Sequence, residues 1–231
     1  MDFSHFTTIS FDCYGTLVNW EAGILPTVKA VLAAHGSTLP DATLLELYGE
    51  FEAEAETPPY RSYREVLDLV VRQFGQRLGF SPTAGEVQSL QQSVLLWPPF
   101  PDTVEALRRL KTRYKLAVIS NIDDELFAET HKLLGVDFDW VITAQQARSY
   151  KPSENNFRLA LRTMGIAKEQ LLHAAQSVYH DVVPARALGI ASVWVNRKSA
   201  RPGVGAVRAA SAKPDLEVPD LATLARLAVT E

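Results

Sequence analysis

The sequence predicts an α/β fold: a parallel sheet covered by helices on both faces, with an all-helical cap inserted after the first strand. Three observations carry this. An apolar, β-branched run over residues 7–11 ends in Asp12, as a buried parallel strand ends in a polar group at its carboxyl end. Residues 18–96 then carry no strand pattern, and their apolar residues recur at helical spacing. From Pro98 onward short apolar runs alternate with amphipathic segments, an order that implies right-handed crossovers and a parallel sheet.

The first strand sets the geography. Ligands of open α/β sheets sit outside the carboxyl ends of the strands, so Asp12 stands at the mouth of the sheet. Gly15, three residues on, permits a sharp turn and close approach of backbone N–H groups. Taken alone, Asp12 would more readily cap a turn.

The cap is predicted as four helices. Ile24, Leu25, Val28, Val31 and Leu32 mark the first, over 22–34. Pro40-Asp41 opens the second, with Leu44, Leu45, Leu47, Tyr48 and Phe51 on its apolar side, and Pro58-Pro59 interrupts it. Val66, Leu67, Leu69, Val70, Phe74 and Leu78 mark the third, over 63–79. Ser81-Pro82 reads as the start of a fourth that runs to about Leu96.

Beyond the cap a helix is expected from Thr103 to Arg113, then a buried strand, 115–120, ending in Ser120-Asn121. A helix stopped at Gly135 follows, then a strand from Trp140 to Thr143. Ser149-Tyr150-Lys151-Pro152 leads into a helix capped by Ser153. His173–Val178 reads as a strand, Asp181 as the start of a helix ending at Gly189, and Ala191–Val195 as a strand. A loop with Pro202, Gly203 and Gly205 covers 199–215, before an edge strand at Leu216–Val218 and a closing helix from Leu221 to Val229. The division is therefore a core of residues 1–17 and 97–231 and a cap of residues 18–96. The crevice between them is the expected pocket.

Composition narrows the partners. The chain has 231 residues, 47% of them hydrophobic, and a net charge of -4. No basic stripe points to nucleic acid, and no segment reaches the roughly 20 apolar residues of a membrane span. Cys13 is the single cysteine, so no intrachain disulfide forms. The start, Met-Asp-Phe-Ser-His, has neither a basic opening nor an apolar stretch of signal length. A cytoplasmic location is the expectation.

Four strand ends offer Asp12, Ser120-Asn121, Lys151 and Asp181. A parallel sheet brings such ends to one side, where the groups converge. Each alone has a plain structural role, as a cap or a solvated loop residue. The four together point to a site.

At these positions the sequence resembles the haloacid dehalogenase superfamily. Phe11-Asp12-Cys13-Tyr14-Gly15-Thr16-Leu17 is similar to its first motif and Val118-Ile119-Ser120-Asn121 to its second. Tyr150-Lys151-Pro152 is similar to the third, and Ser177-Val178-Tyr179-His180-Asp181 to the fourth. The resemblance covers essentially the whole chain. It implies a Rossmann-like core, a helical cap and Asp12 as a covalent nucleophile.

Within that superfamily the chain resembles the L-2-haloacid dehalogenase (type II) branch. Phosphatase members carry a second Asp two residues after the nucleophile, which protonates a departing alkoxide. Here that position is Tyr14, and a departing halide needs no proton. Phosphatases also place an Asp five residues before the final Asp to help hold Mg²⁺. Here it is Gln176, a poor ligand for a cation that prefers hard anionic oxygens. No cofactor is expected, and Mg²⁺ belongs only to the phosphatase alternative.

The resemblance implies these roles. Asp12 attacks C2 of a short 2-haloacid and expels halide, giving an aspartyl ester. Lys151 keeps Asp12 ionised and oriented, and Thr16 positions it through a hydrogen bond. Ser120, Asn121 and backbone N–H groups near Tyr14 hold the substrate carboxylate. Asp181 orients Lys151 and the hydrolytic water, and Tyr14 and Trp20 wall a small apolar pocket. Some residues depart from the branch. Tyr48-Gly49 stands where dehalogenases carry a cap arginine, which Arg61 or Arg64 would have to replace. Phe157 stands for a tyrosine, Val178 for an asparagine, and His180 is unexpected. Two alternatives therefore stay open, a Mg²⁺-dependent phosphomonoesterase and a catalytically silent metabolite-binding member. Oligomeric state is open too; related enzymes are often homodimers.

Overall fold

The computed structural model describes residues 1–197, 205–206 and 209–229. Strand β1 (Thr8–Phe11) is buried along its whole length. The helical insertion follows: α1 (Trp20–Ala34), α2 (Asp41–Ala55), α3 (Tyr63–Leu78), α4 (Ala84–Val87) and α5 (Ser89–Ser93), closed by a 3₁₀ turn at Val94–Leu96. The remainder alternates: α6 (Thr103–Lys111), β2 (Lys115–Ser120), α7 (Asp124–Leu134), β3 (Trp140–Thr143), α8 (Ala144–Ala147), α9 (Glu154–Met164) and β4 (Leu171–Ala175). A π-helical turn at Val178–Val182 leads into α10 (Val183–Leu188), before β5 (Ala191–Val195), β6 (Leu216–Val218) and α11 (Leu221–Ala228).

Among the described residues these strands form one six-stranded sheet in the order β3-β2-β1-β4-β5-β6. Every neighbouring pair is parallel. The order reverses between β1 and β4, and an open parallel sheet has its ligand crevice at such a reversal. Asp12 follows β1 directly and Asp181 follows β4, so both lie at that point.

Each face of the sheet has its own apolar layer. Phe157, Ala160 and Met164 of α9 pack with Ala117, Ile119 and Ile142 on one side. Leu107 and Leu110 of α6 and Leu221 and Leu224 of α11 pack with Phe11, Leu116 and Val118 on the other, and this layer runs on into the helical insertion. Phe157 is fully buried, and cutting such a ring back to alanine costs about 3–5 kcal/mol.

The start of α3 is fastened to the core. The Asp123 carboxylate accepts the Tyr63 N–H at 2.9 Å and the Arg64 N–H at 3.0 Å. Both N–H groups belong to the first helical turn, which has no internal acceptors and favours negative charge. At the other seam Gly23 lies beneath Trp97, and a Cβ there would sit 1.8 Å from the indole.

Three expectations are corrected. The fourth cap helix does not run unbroken from Pro82. Thr83 caps α4 in a box with Glu86, and the chain breaks again before α5 and the 3₁₀ turn. Gly85, Ser89 and Ser93 lower helix propensity here, and the Ser93 hydroxyl donates to the Leu90 carbonyl, competing with the helix ladder. Asp181 does not start its helix either. Ser177 is the cap, accepting the His180 N–H, so Asp181 turns into the protein. Strand β4 is Leu171–Ala175 rather than His173–Val178, because Ser177 already begins that turn. Of the loop expected at 199–215, Pro202 and Gly203 lie outside the described residues. No described helix is long and apolar enough to cross a membrane.

Candidate active site

The turn after β1 aims Asp12. Its N–H donates to the Ala174 carbonyl of β4 at 3.2 Å. The Cys13 carbonyl then accepts the N–H groups of Thr16, Leu17 and Val18 at 3.2, 2.7 and 3.0 Å. Gly15, at φ 92°, closes this turn in a region that other residues avoid. A Cβ at Gly15 would also meet the Trp20 ring at 3.2 Å. The turn brings Thr16 back onto Asp12: its hydroxyl donates to Asp12 Oδ2 at 2.7 Å and accepts the Gln176 N–H at 2.9 Å.

Lys151 reaches the same carboxylate from the far side. Its Nζ donates to Asp12 Oδ1 at 2.9 Å, to Asp181 Oδ1 at 2.6 Å and to the Ile119 carbonyl at 2.8 Å. Those three bonds use all three ammonium protons. Asp181 Oδ1 also bonds His173 Nε2 at 2.9 Å, and His173 Nδ1 bonds Ser10 Oγ at 2.8 Å. Ser10 and His173 are register partners across β1 and β4, and the Phe157 ring packs edge-on against the imidazole. One buried network thus runs from Ser10 to Thr16 through His173, Asp181, Lys151 and Asp12.

Charge within it is unevenly held. Burial opposes ionisation of Asp181, but Lys151 and His173 outweigh it and hold the carboxyl down at about 2. For Asp12 burial wins, and its pKa rises above the ordinary aspartate value although Lys151 works against the rise. Burial likewise works against the Lys151 ammonium, and the two carboxylates reverse the effect and raise its pKa.

Asp12 lies on a crevice between sheet and insertion with about 390 Å³ of empty volume. Tyr14 and Trp20 line it. The Tyr14 hydroxyl bonds Thr130 Oγ1 at 2.8 Å, and Trp20 stands edge-on to Tyr48. Ser120 also lines it, fully buried, with its hydroxyl lacking a protein partner; Asp181 Oδ2 is unpartnered in the same way.

Two expectations change here. The Asn121 amide is committed to the backbone of Lys151, accepting its N–H at 2.7 Å and donating to its carbonyl at 3.1 Å. It positions the lysine, and its Nδ2 also meets the Glu56 carboxylate at 3.3 Å. Arg61 and Arg64 do not replace a cap arginine. The Arg61 guanidinium binds the carbonyls of Ala55, Thr57 and Pro59, and Arg64 turns to Gln91 and Glu125. Both line a different surface cavity. Free carbonyls at the end of α2 capture Arg61 before it can reach the crevice.

In their place the insertion presents Glu52 and Glu56. Glu52 Oε1 accepts the hydroxyls of Tyr63 at 2.6 Å and Tyr48 at 3.0 Å. Glu56 meets Asn121 Nδ2 at 3.3 Å. Burial pushes both carboxyls up, Glu52 to about 7 and Glu56 well above its ordinary value. The signal was in the spacing: Tyr48, Glu52 and Glu56 recur every four residues, so they line one face of α2 and of the residue that ends it. His173 also had a signal, as a polar residue inside the apolar run Leu171–Ala175, where burial demands a partner. His180 lines the crevice and bonds the Ser177 hydroxyl at 3.2 Å.

The donor set does not suit Mg²⁺. Asp12 and Asp181 each give an oxygen to Lys151, and Gln176 offers a neutral amide where a third hard anion would be needed. Among the described residues no three His, Cys, Asp or Glu side chains are grouped to hold a metal ion.

Comparison with known proteins gives the family and the fold. A family model for haloacid dehalogenase-like hydrolases matches residues 6–189. (S)-2-haloacid dehalogenase H-109 of Pseudomonas putida is 29% identical, covering 83% of this chain and 86% of the relative. Haloacetate dehalogenase H-2 of Moraxella sp. (strain B) is 27% identical, covering 82% and 85%. Among solved structures, the L-2-haloacid dehalogenase from Xanthobacter autotrophicus with chloropropionic acid covalently bound superimposes with a TM-score of 0.81. It is 21% identical and the match covers 96% of this chain and 98% of that one.

Proposed function

Because the chain belongs to the haloacid dehalogenase-like hydrolases, we propose that it hydrolyses short 2-haloacids through an aspartyl ester on Asp12. The observation that carries this is the carboxylate of Asp12, held at Oδ1 by Lys151 and at Oδ2 by Thr16, with no second carboxyl in the turn that follows it. Tyr14 stands two residues on, its hydroxyl engaged by Thr130. An oxyanion leaving group would need a proton at that place; a halide does not. The dehalogenase relatives favour the same chemistry, as does the covalent chloropropionic acid of the Xanthobacter enzyme.

An Asp12 oxygen attacks C2 from the side opposite the halogen. The carbon–halogen pair leaves as halide, and an ester joins Asp12 to the inverted carbon. Holding nucleophile and carbon in line lowers the barrier by up to about 7–11 kcal/mol. Water then attacks the ester carbonyl of Asp12. The unpartnered Asp181 Oδ2 is the acceptor that orients it. One water proton goes to the hydroxyl of the product, the other to solvent, and the Asp12 carboxylate returns. Ser120 donates to the substrate carboxylate, and Tyr14 and Trp20 keep bulk water out.

The test is halide release from 2-chloropropionate in ¹⁸O water under single-turnover conditions, with and without EDTA. The expected result is EDTA-insensitive release, with unlabelled oxygen from Asp12 in the first product and label left in the protein. Label appearing directly in that first product overturns the ester. Phosphate esters turned over faster than any haloacid, with loss on chelation, would favour the phosphomonoesterase instead.

A further inference from the structure

The reading above leaves the substrate's charge unexplained. A simple 2-haloacid is an anion and needs cationic or hydrogen-bond-donating walls. This crevice has few. All three Lys151 protons are taken within the network. The Asn121 amide is taken by the Lys151 backbone and Glu56. Arg61 and Arg64 face elsewhere. Among the described residues that line it, four carboxyl groups (Asp12, Glu52, Glu56 and Asp181) surround one ammonium.

The two cap carboxyls are placed as acceptors. Both tyrosine hydroxyls on Glu52 bind the same oxygen, Oε1, and favour its ionised form, leaving Oε2 for a ligand. Glu56 is half-buried and lies where the crevice joins a second cavity, which it lines together with Tyr60, Tyr179 and Arg148. On the core side the buried Ser120 hydroxyl has no protein partner and is a donor in wait of an acceptor. The crevice is therefore two-sided, with carboxylates on the cap wall and a hydroxyl donor on the core wall.

We propose that the substrate is a 2-haloacid that also carries a protonated amino group, held by Glu52 and Glu56, while Ser120 donates to its carboxylate. The proposal rests on the dehalogenase reading for its leaving group, but not for its binding contacts. It also accounts for the absence of an arginine from the cap wall, since such a cation would repel the ammonium and neutralise its subsite. Burial raises both cap carboxyls, Glu52 to about 7, so an arriving cation draws Glu52 into its ionised form and releases protons.

An isosteric pair of unreactive ligands separates charge from size: β-alanine and butyrate, in which ammonium replaces methyl. The expected result by calorimetry at pH 7 is β-alanine binding to the intact protein at least about tenfold more tightly than butyrate. Repetition in buffers of different ionisation enthalpy should show net proton release for β-alanine alone. In E56Q and in E52Q the preference should collapse. E56Q replaces a half-buried residue, so it stands should E52Q fail to fold. Butyrate binding as well as β-alanine, or a preference surviving both substitutions, overturns the subsite; in that case the two acids serve as neutral donors to a carboxylate. Turnover separates this from the parent reading. Chloride released from 3-amino-2-chloropropionate about tenfold more efficiently than from 2-chlorobutyrate supports both. Equal release from the two overturns the subsite alone. Glutamate-dependent β-alanine binding with no halide release from either supports the subsite and overturns the dehalogenase reading.

Discussion

The Asn121 side chain closes on both backbone polar groups of Lys151, taking its N–H at Oδ1 and giving Nδ2 to its carbonyl. The end of β2 thereby fixes where the Lys151 loop begins, and so where Nζ arrives. Removing this clamp in N121A leaves a buried N–H and a carbonyl without partners, which costs about 1–3 kcal/mol of stability. The lysine also loses its register, and a displacement of about 1 Å at a reacting centre costs roughly 100-fold in rate. Turnover and urea denaturation measured together should show both losses, with the loss in kcat exceeding the change in KM.

Lys151 is buried between two carboxylates that share it. In K151M these lose their common counter-ion, and breaking a buried pair from one side costs about 3–5 kcal/mol. The sign with pH follows from Asp181, whose folded pKa is depressed from 3.8 to about 2. Its contribution is fully present above 3.8 and is lost as pH falls through about 2. The stability gap between wild type and K151M should therefore be widest near neutrality and narrow in acid, as read from denaturation curves over that range. A gap that is flat with pH contradicts the pairing.

Asp12 must be ionised to attack, and burial raises its pKa above 3.8. Halide release should fall on the acid side as pH drops through that raised value. Asp181 is not the group responsible, because it stays ionised to about 2. The Thr16 hydrogen bond favours the charged form of Asp12. In T16V the midpoint of the acid limb in a kcat/KM profile should therefore move to higher pH. A midpoint that stays put or moves down places another group in control.

His173 reaches Asp181 Oδ1 from the side opposite Lys151, and that contact helps depress the carboxyl. H173L removes the donor and strands the Ser10 hydroxyl, an expected loss of about 1–3 kcal/mol. If Asp181 orients the hydrolytic water, the second step should slow more than the first, giving a stoichiometric burst of halide followed by a slow phase. H173Q, which keeps a donor, should restore much of the steady rate. Equal slowing of burst and steady phase would leave His173 a purely structural role.

Much of this site is written in local sequence. The β-branched run before Asp12, the Gly15 turn and the polar residues closing each later strand could be read in order. A parallel sheet leaves such ends no choice but one side, so Asp12, Lys151 and Asp181 meet within hydrogen-bond distance. Thr16, four residues from Asp12, was equally legible because a tight turn brings i and i+4 together. Where Arg61 and Arg64 reach was not legible, for the opposite reason. Their position on the cap was clear, but long side chains follow the nearest acceptors, here the carbonyls of Ala55 and Thr57.

Chain order, strand polarity and the place of Asp12 at the mouth of the sheet were determined by the sequence alone, because each depends on neighbours a few residues apart. Which groups face Asp12 across the crevice was decided only by the tertiary fold. His173 meets Asp181 through packing on its strand, and Glu52 and Glu56 meet the pocket because α2 is seated with that face inward. Such pairings join residues far apart in the chain, 163 positions in the case of Ser10 and His173. Their geometry is set by how helices and strands pack, and short-range pattern carries no record of it.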